Sequence, residues 1–129
     1  MNAQSYIQKA ERALAGARAL VTAGDVEGAC NRAYYAMFDA AHAALLSFGV
    51  SGPDANPKTH RGLIGTFGKR LVLGGHLPAE LGVALNKVER LRTLADYTGE
   101  PITSTDAAWA VEKAEAFVVA ISAAIPPRK

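Results

Sequence analysis

Apolar residues recur every three or four positions along most of the chain, which is the spacing of one face of an α-helix. The first stripe runs from residue 5 to about residue 22, and Gly24 ends it. Asp25 is a suitable N-cap for a second helix over residues 26–48, with Gly28 tolerated in its first turn. The residues predicted to face inward on the first helix are Ile7, Ala10, Leu14, Ala17 and Val21.

Three further helices are predicted after a loop at residues 51–57, which contains two prolines and has no periodic pattern. The third covers residues 60–72 and stops before the glycine pair at 74–75. Pro78 opens the fourth, which residues 98–101 end, and Thr103, Ser104 or Thr105 caps the fifth, which ends before Pro126. The predicted inward residues are Leu81, Leu85, Val88, Leu91 and Leu94 or Ala95 on the fourth helix, and Ala110 or Val111, Ala114, Phe117, Val118 and Ile121 on the fifth.

These segments predict an all-α fold, an antiparallel bundle of about five helices. No alternating strand pattern of useful length and no internal repeat is found. A chain of 129 residues, half of them hydrophobic and a fifth charged, suits one ordered domain over residues 1–129. The N-terminus lacks an apolar signal-peptide core, and no run of about 18 apolar residues occurs. We therefore expect a cytoplasmic protein with no membrane contact.

Charge and cysteine content add little to this picture. The formal net charge of +2 does not by itself indicate a nucleic-acid partner. Two basic clusters, at residues 58–61 and 69–70, are either solvated helix ends or a rim that faces phosphates. The single cysteine, Cys30, cannot form a disulfide within the chain, and we expect it to be packed in the core.

The second helix carries a polar stripe on an otherwise apolar surface. At about 100° per residue, Asn31, Tyr35, Asp39 and His42 fall within roughly 80° of one another, with Arg32 at the edge. Such a stripe suits a wet cleft or a polar subunit interface, but local pairs within a buried polar seam would also explain it. The residues expected to serve the core from another sector are Ala33, Tyr34, Met37, Phe38 and Ala41.

The end of the fourth helix carries a second polar group. We expect Leu91 and Leu94 to point inward, so that Arg92 and Asp96, four residues apart, share an outer or interfacial face. There they could form a surface ion pair. Tyr97 follows at the helix end, where its phenol either projects into a cleft or packs as a cap over the next loop.

Several segments resemble the HEPN (higher eukaryotes and prokaryotes nucleotide-binding) family, in its bacterial toxin-type branch. They are Asn-Arg-Ala-Tyr-Tyr-Ala-Met-Phe at 31–38, Lys-Thr-His at 58–60, Leu-Arg-Thr-Leu-Ala-Asp-Tyr at 91–97, and the fifth-helix segment 106–118. The resemblance implies a homodimer of near-five-helix bundles. Many such proteins are metal-independent ribonucleases, often toxins whose antitoxin is a minimal nucleotidyltransferase. Their signature is an arginine, four to six residues and a histidine, with both copies meeting in one cleft.

Arg92 matches the arginine of that signature, but the residue five positions later is Tyr97 instead of histidine. Metal-free RNA cleavage needs activation of a 2′-hydroxyl, stabilisation of charge at phosphorus and a proton for the leaving oxygen. An arginine fork suits phosphate oxygens, whereas tyrosine, with an ordinary pKa near 10, is a poor base at pH 7. His42 could carry the proton if the polar stripe faces Arg92.

The candidate catalytic residues are therefore Arg92, Tyr97, Asp96, which would orient Arg92, and His42. Asn31, Arg32, Tyr35, Asp39, His60 and Arg61 are the candidates for substrate binding. Tyr97 could instead accept a nucleotidyl group, because related toxins are silenced by modification of a tyrosine near their motif. No metal or cofactor is expected.

Three functional interpretations remain open from the sequence. The chain is an RNA-binding toxin component that cleaves weakly or conditionally, a non-catalytic module that binds a nucleotide or its nucleotidyltransferase partner, or a purely structural helical dimer.

Overall fold

The computed structural model describes residues 2–50, 52–55, 57–98 and 101–125, with the backbone alone for residues 53, 55 and 95–98. Over these residues the predicted all-helical bundle is confirmed. Its five α-helices are α1 (Ala3–Ala23), α2 (Val26–Ser47), α3 (His60–Thr66), α4 (Ala79–Thr98) and α5 (Ser104–Ala124). Helix α2 is central, because it packs against α1, α4 and α5.

The turn between α1 and α2 forms as the sequence indicates. Gly24 has a φ of 83°, a left-handed conformation that glycine adopts without a steric penalty, and its N–H donates to carbonyls of the last turn of α1. The Asp25 side chain then accepts a hydrogen bond from the N–H of Gly28 and caps α2. A β-carbon at Gly28 would collide with that carboxylate, so a larger residue here would displace the capping side chain.

The third predicted helix has two parts. Thr59 caps α3 by accepting from the N–H of Gly62, which fixes His60 as the first helical residue. After Thr66 the chain continues as a π-helical segment, Phe67–Val72, with wider turns than an α-helix. This segment keeps Phe67 and Leu71 in the core, and the ring centroid of Phe67 lies 5.5 Å from that of Phe117 on α5.

Most of the predicted core is confirmed, including every inward residue proposed for α5 and all but one for α1. Val21 is the exception, because 37% of it is exposed. It lies in the last turn of α1 and lines a surface groove of about 230 Å³ against α5, where Arg18 and Glu115 form an ion pair at 3.1 Å. The periodicity of the sequence thus predicted an inward stripe on α1 that is one turn longer than the stripe that is buried.

Helix α4 departs from its predicted orientation. Leu81, Leu85 and Val88 are buried as expected and Leu91 is half-buried, but Leu94 is 47% exposed, so its predicted inward position is wrong. The side chain of the alternative residue, Ala95, lies outside the described part of the chain. The buried stripe advances by four, three and again four residues, and its next member is Arg92. Arg92 therefore faces the bundle, and only 18% of its side chain is exposed.

Cys30 is fully buried, which confirms the expected packing role. Burial raises the pKa of its thiol to about 11, although the positive charge of Arg92 acts in the opposite direction. No helix in the described part of the chain has the length and apolar character needed to cross a membrane.

Candidate functional site

Arg92 of α4 lies against two aromatic rings of α2. Its guanidinium carbon is 4.6 Å from the ring centroid of Tyr34 and 5.8 Å from that of Tyr35. A cation at this distance is attracted by the negative face of an aromatic ring, and a planar guanidinium can also stack on it. The two rings therefore hold the arginine head at the junction of α2 and α4.

The hydrogen-bonding capacity of Arg92 is only partly used. Its Nη2 lies 3.5 Å from Oε2 of Glu89, three residues earlier on α4. Within the described residues, neither Arg92 Nε nor Glu89 Oε2 has a hydrogen-bond partner, although both atoms are buried. Such groups are costly to leave unpaired, so a ligand or a small rearrangement that satisfies Nε would be stabilising.

Tyr34 links this arginine to His60, the first residue of α3. The Tyr34 hydroxyl shares a hydrogen bond of 2.8 Å with Nδ1 of His60, and the two rings stack with centroids 5.4 Å apart. Burial raises the pKa of the Tyr34 phenol well above its ordinary value, and the negative charge of Glu89 adds to the shift. The hydroxyl is therefore neutral at physiological pH and can donate or accept a hydrogen bond.

A row of rings continues from His60 toward α1. Phe38 lies 4.8 Å from His60 and 4.9 Å from His42, measured between ring centroids, and Tyr6 stacks on His42 at 5.0 Å. His42 is only 5% exposed, and burial lowers the pKa of its imidazole, with a further contribution from the charge of Lys9. Tyr34, the ring under Arg92, thus contacts His60. The ring of His42 instead contacts those of Phe38 and Tyr6.

A surface cavity opens beside these aromatic residues, between α1 and α2. It has a volume of about 270 Å³ and is lined by Lys9, Arg32, Tyr35, Phe38 and Asp39. Lys9 Nζ lies 3.8 Å from Oδ1 of Asp39. Burial raises the pKa of Asp39 even though the positive charges of Lys9, Arg32 and Arg12 oppose that shift. Lys9 and Arg32 line the cavity together with the single carboxylate of Asp39, so its lining carries a net positive charge.

The other predicted site residues are more dispersed. Asn31 is exposed on α2, and Arg61 lines a separate small groove beside Glu89. In the second basic cluster, Arg70 forms an ion pair of 3.5 Å with Asp54, as a solvated helix end would.

Asp96 and Tyr97 lie in the last turn of α4, and their side chains fall outside the part of the chain that the structure describes. Their predicted roles therefore stay predictions.

Sequence reasoning missed three contributors to this region: Tyr34 as a link, Glu89 and Lys9. A signal existed for two of them. Glu89 precedes Arg92 by three residues, which places the pair on one helix face, and a buried tyrosine usually needs a partner for its hydroxyl. Lys9 could not be found in this way, because its contact with Asp39 joins two helices.

The described residues contain no group of three or more histidine, cysteine, aspartate or glutamate side chains arranged to hold a metal ion.

Comparison with known proteins relates nearly the whole chain to one family. The model of the HEPN domain matches residues 3–123. A UPF0332 protein of Gloeobacter violaceus is 40% identical over 96 residues, covering 74% of this chain and 72% of that protein. A Methanocaldococcus jannaschii protein named "Putative toxin" is 36% identical over 122 residues, covering 95% of this chain and 87% of its own length. A second protein so named from the same organism is 29% identical over 116 residues, covering 89% and 76%.

Proposed function

The chain belongs to the HEPN domain family, and on this basis we propose that it is the toxin-type component of a two-protein system. In this proposal it binds RNA and cleaves it without a metal ion, in a cytoplasmic setting and in a cleft between two copies of the chain. Its partner is a minimal nucleotidyltransferase that acts as the antitoxin. The relatives named as toxins support the toxin role, and the arrangement around Arg92 supports RNA binding.

The observation that carries the proposal is the position of Arg92 on Tyr34 and Tyr35. The rings hold the guanidinium in place, while its single ion pair at 3.5 Å leaves Nε without a hydrogen bond among the described residues. A phosphate can accept two parallel hydrogen bonds from such a fork. Because the arginine is already ordered by its neighbours, less side-chain entropy is lost when the phosphate binds.

The adjacent cavity supports a nucleic-acid ligand over an isolated phosphate. Tyr35 borders both Arg92 and the cavity, and it is partly exposed, so a base can stack on it. Lys9 and Arg32 supply positive charge for the next phosphate, and Asp39 can accept hydrogen bonds from a base edge. Arg61, and Asn31 on the exposed side of α2, would extend the contact as rim residues.

A non-catalytic module is the second candidate, and the residue at position 97 favours it. With tyrosine where the family signature has histidine, Arg92 would serve as an anchor for a nucleotide or for the partner nucleotidyltransferase. In this case Tyr97 would accept the nucleotidyl group.

Inducible expression of the full chain tests the proposed function. We expect wild type to arrest growth and degrade cellular RNA, and Arg92→Ala to do neither at equal protein level. Arg90→Ala is the matched control, because Arg90 is exposed on the same helix. RNA that stays intact while wild-type protein arrests growth would favour the non-catalytic module. Wild-type protein that neither arrests growth nor degrades RNA would contradict the toxin role and leave the non-catalytic module as the remaining candidate.

A further inference from the structure

We infer that His60 transfers the proton in the proposed RNA cleavage and that Tyr34 is its positioning residue. His60 would thereby do the work of the histidine that the chain lacks at position 97. This inference rests on the proposed function, but it concerns a residue outside the family signature and on another helix.

The geometry joins the phosphate anchor and the imidazole through one rigid group. Tyr34 is fully buried, so its ring has little freedom to move. Arg92 covers this ring at 4.6 Å, and His60 both stacks on it and shares the hydrogen bond of 2.8 Å with its hydroxyl. Arg92 and His60 thus contact the same ring, and the proposal places a phosphate held by Arg92 within reach of the imidazole, as proton transfer requires.

The Tyr34 hydroxyl suits a histidine that changes its protonation state. When the hydroxyl donates to Nδ1, the proton of a neutral imidazole lies on Nε2. When the hydroxyl accepts from Nδ1, Nε2 of the neutral ring is a base. Because burial keeps the Tyr34 phenol protonated, its hydroxyl can hold the imidazole of His60 in one orientation in both neutral tautomers and in the imidazolium.

The other two histidines are less suited to this role. His42 is buried between Tyr6 and Phe38, and the lowered pKa of its imidazole disfavours proton uptake. His76 is exposed in the connection before α4, where its ring lies 4.9 Å from that of Phe48. His60 is half-buried at the first turn of α3, a position that combines fixed orientation with access for a substrate.

The proposed step is a transesterification within the RNA. Nε2 of neutral His60 takes the proton of a 2′-hydroxyl, and the 2′ oxygen forms a bond to the adjacent phosphorus. The bond from phosphorus to the 5′ oxygen breaks, and that oxygen takes a proton from solvent water. The products are a 2′,3′-cyclic phosphate and a 5′-hydroxyl, and the imidazolium returns its proton to solvent. Arg92 stabilises the charge that develops on the phosphoryl oxygens.

The test uses the purified full-length protein and a fluorescently labelled single-stranded RNA of mixed sequence. His60→Gln should lower the cleavage rate by roughly 10²–10⁴-fold, the usual contribution of acid–base catalysis, while RNA affinity stays within about threefold of wild type. His76→Gln is the matched control and should cleave at the wild-type rate. Tyr34→Phe, which keeps the ring under Arg92, should lower cleavage by about tenfold with unchanged RNA affinity.

Two further readouts separate catalysis from a structural role. The wild-type rate should rise with pH along an acidic limb that His60→Gln lacks, and added imidazole should restore cleavage to His60→Ala by at least about tenfold. Imidazole does not restore a misfolded variant, so rescue would support the inference even if His60→Gln were destabilised.

The outcomes separate the inference from the proposed function on which it rests. Wild-type cleavage by a folded His60→Gln would overturn the role of His60 and leave the proposed function standing. A wild-type protein that neither binds nor cleaves RNA would instead overturn the proposed function, and the inference with it.

Discussion

Asp39 and His42 lie three residues apart on α2, each only 5% exposed, and burial shifts their pKa values in opposite directions. The pKa of Asp39 is raised and that of His42 is lowered, so burial disfavours the charged form of both groups. Polar groups kept in the core at such a cost are commonly found at functional sites. The same shifts determine how the stability of this region depends on pH.

The free energy of unfolding should fall as pH decreases through the ordinary titration range of histidine, because the unfolded chain takes up the His42 proton more readily than the folded protein. A lowered folded-state pKa gives stability that is complete above the unfolded-state value, near 6.5, and is lost below it. Urea unfolding at pH 7.5 and pH 5.5 measures the difference. It should be smaller for His42→Gln and unchanged for His76→Gln, whose histidine is exposed. Equal pH dependence in all three proteins would contradict the prediction.

Asp39→Asn should stabilise the protein at pH 7. A raised folded-state pKa means that folding disfavours the carboxylate, so the neutral amide avoids a penalty that three nearby cations do not fully offset. The gain should shrink as pH falls toward 4, where the wild-type carboxyl becomes protonated. Urea unfolding measures the gain at each pH, with Asp54→Asn as the control at a half-exposed carboxylate. Destabilisation at pH 7 would show that the ion pair with Lys9 outweighs burial.

Arg92→Lys should lower RNA affinity by at least about tenfold although the charge is kept. An ammonium cannot make two parallel hydrogen bonds to a phosphate, and it lacks the plane that stacks on Tyr34. Fluorescence anisotropy at fixed salt concentration measures the change, and Arg90→Lys is the control. If Arg92→Lys retains full RNA binding and toxicity, the two-bond contact is ruled out.

Variants at Tyr97 distinguish catalysis from modification at the position where the chain departs from the family signature. If Tyr97 lies at the catalytic position, Tyr97→His should raise cleavage by supplying a proton carrier. If it accepts a nucleotidyl group, Tyr97→Phe should keep basal activity and escape silencing by the nucleotidyltransferase.

Intact-mass measurement after co-expression with that partner detects the modification directly. Wild-type protein that is neutralised without a mass increase would disprove the acceptor role. If Tyr97 is only a capping residue, Tyr97→Phe should change neither activity nor silencing, and Tyr97→His should lower stability alone.

The chain should form a homodimer through α2 and α4. Leu94 and Val83 are exposed apolar residues eleven positions apart on α4, about three helical turns, so they share one face. A specific interface should bury at least about 1,000 Å² in total. Leu94→Glu should shift the dimer toward monomer in light scattering at tens of micromolar, whereas Val119→Glu on α5 should not. A wild-type protein that is strictly monomeric at this concentration would contradict the predicted interface.

Local sequence signals were sufficient for the four long helices and several caps, but they did not indicate the π-helical segment Phe67–Val72 or the short 3₁₀ helix Gly52–Ala55. Gly24, Asp25 and Thr103 each act through neighbours within a few residues, so their roles follow from the chain alone. The orientation of α4 was not predictable in the same way. Leu94 is the more apolar residue, but Arg92 occupies the buried stripe, because the aromatic rings of another helix accept its charge. Such a contact depends on packing between helices, which hydrophobic periodicity does not encode.

Contacts between helices also explain why the sequence did not predict the surroundings of the histidines. Sequence spacing placed His42 on the polar stripe with Asp39, and it treated His60 as a residue at a helix start. Both positions were correct along the chain. The hydrogen bond from His60 to Tyr34 spans 26 residues and forms only when α3 packs against α2, so no local pattern could indicate it.

The reactivity of the buried Cys30 thiol should measure how often the helices around it separate. A thiol with a pKa of about 11 and no solvent exposure should react with a maleimide only when α2 separates from its neighbours. The labelling rate then measures how often this local separation occurs, at a native cysteine and without an introduced labelling site. Because Arg92 of α4 packs on Tyr34, four residues from Cys30 on α2, a ligand that holds Arg92 in place should oppose this separation and slow the labelling.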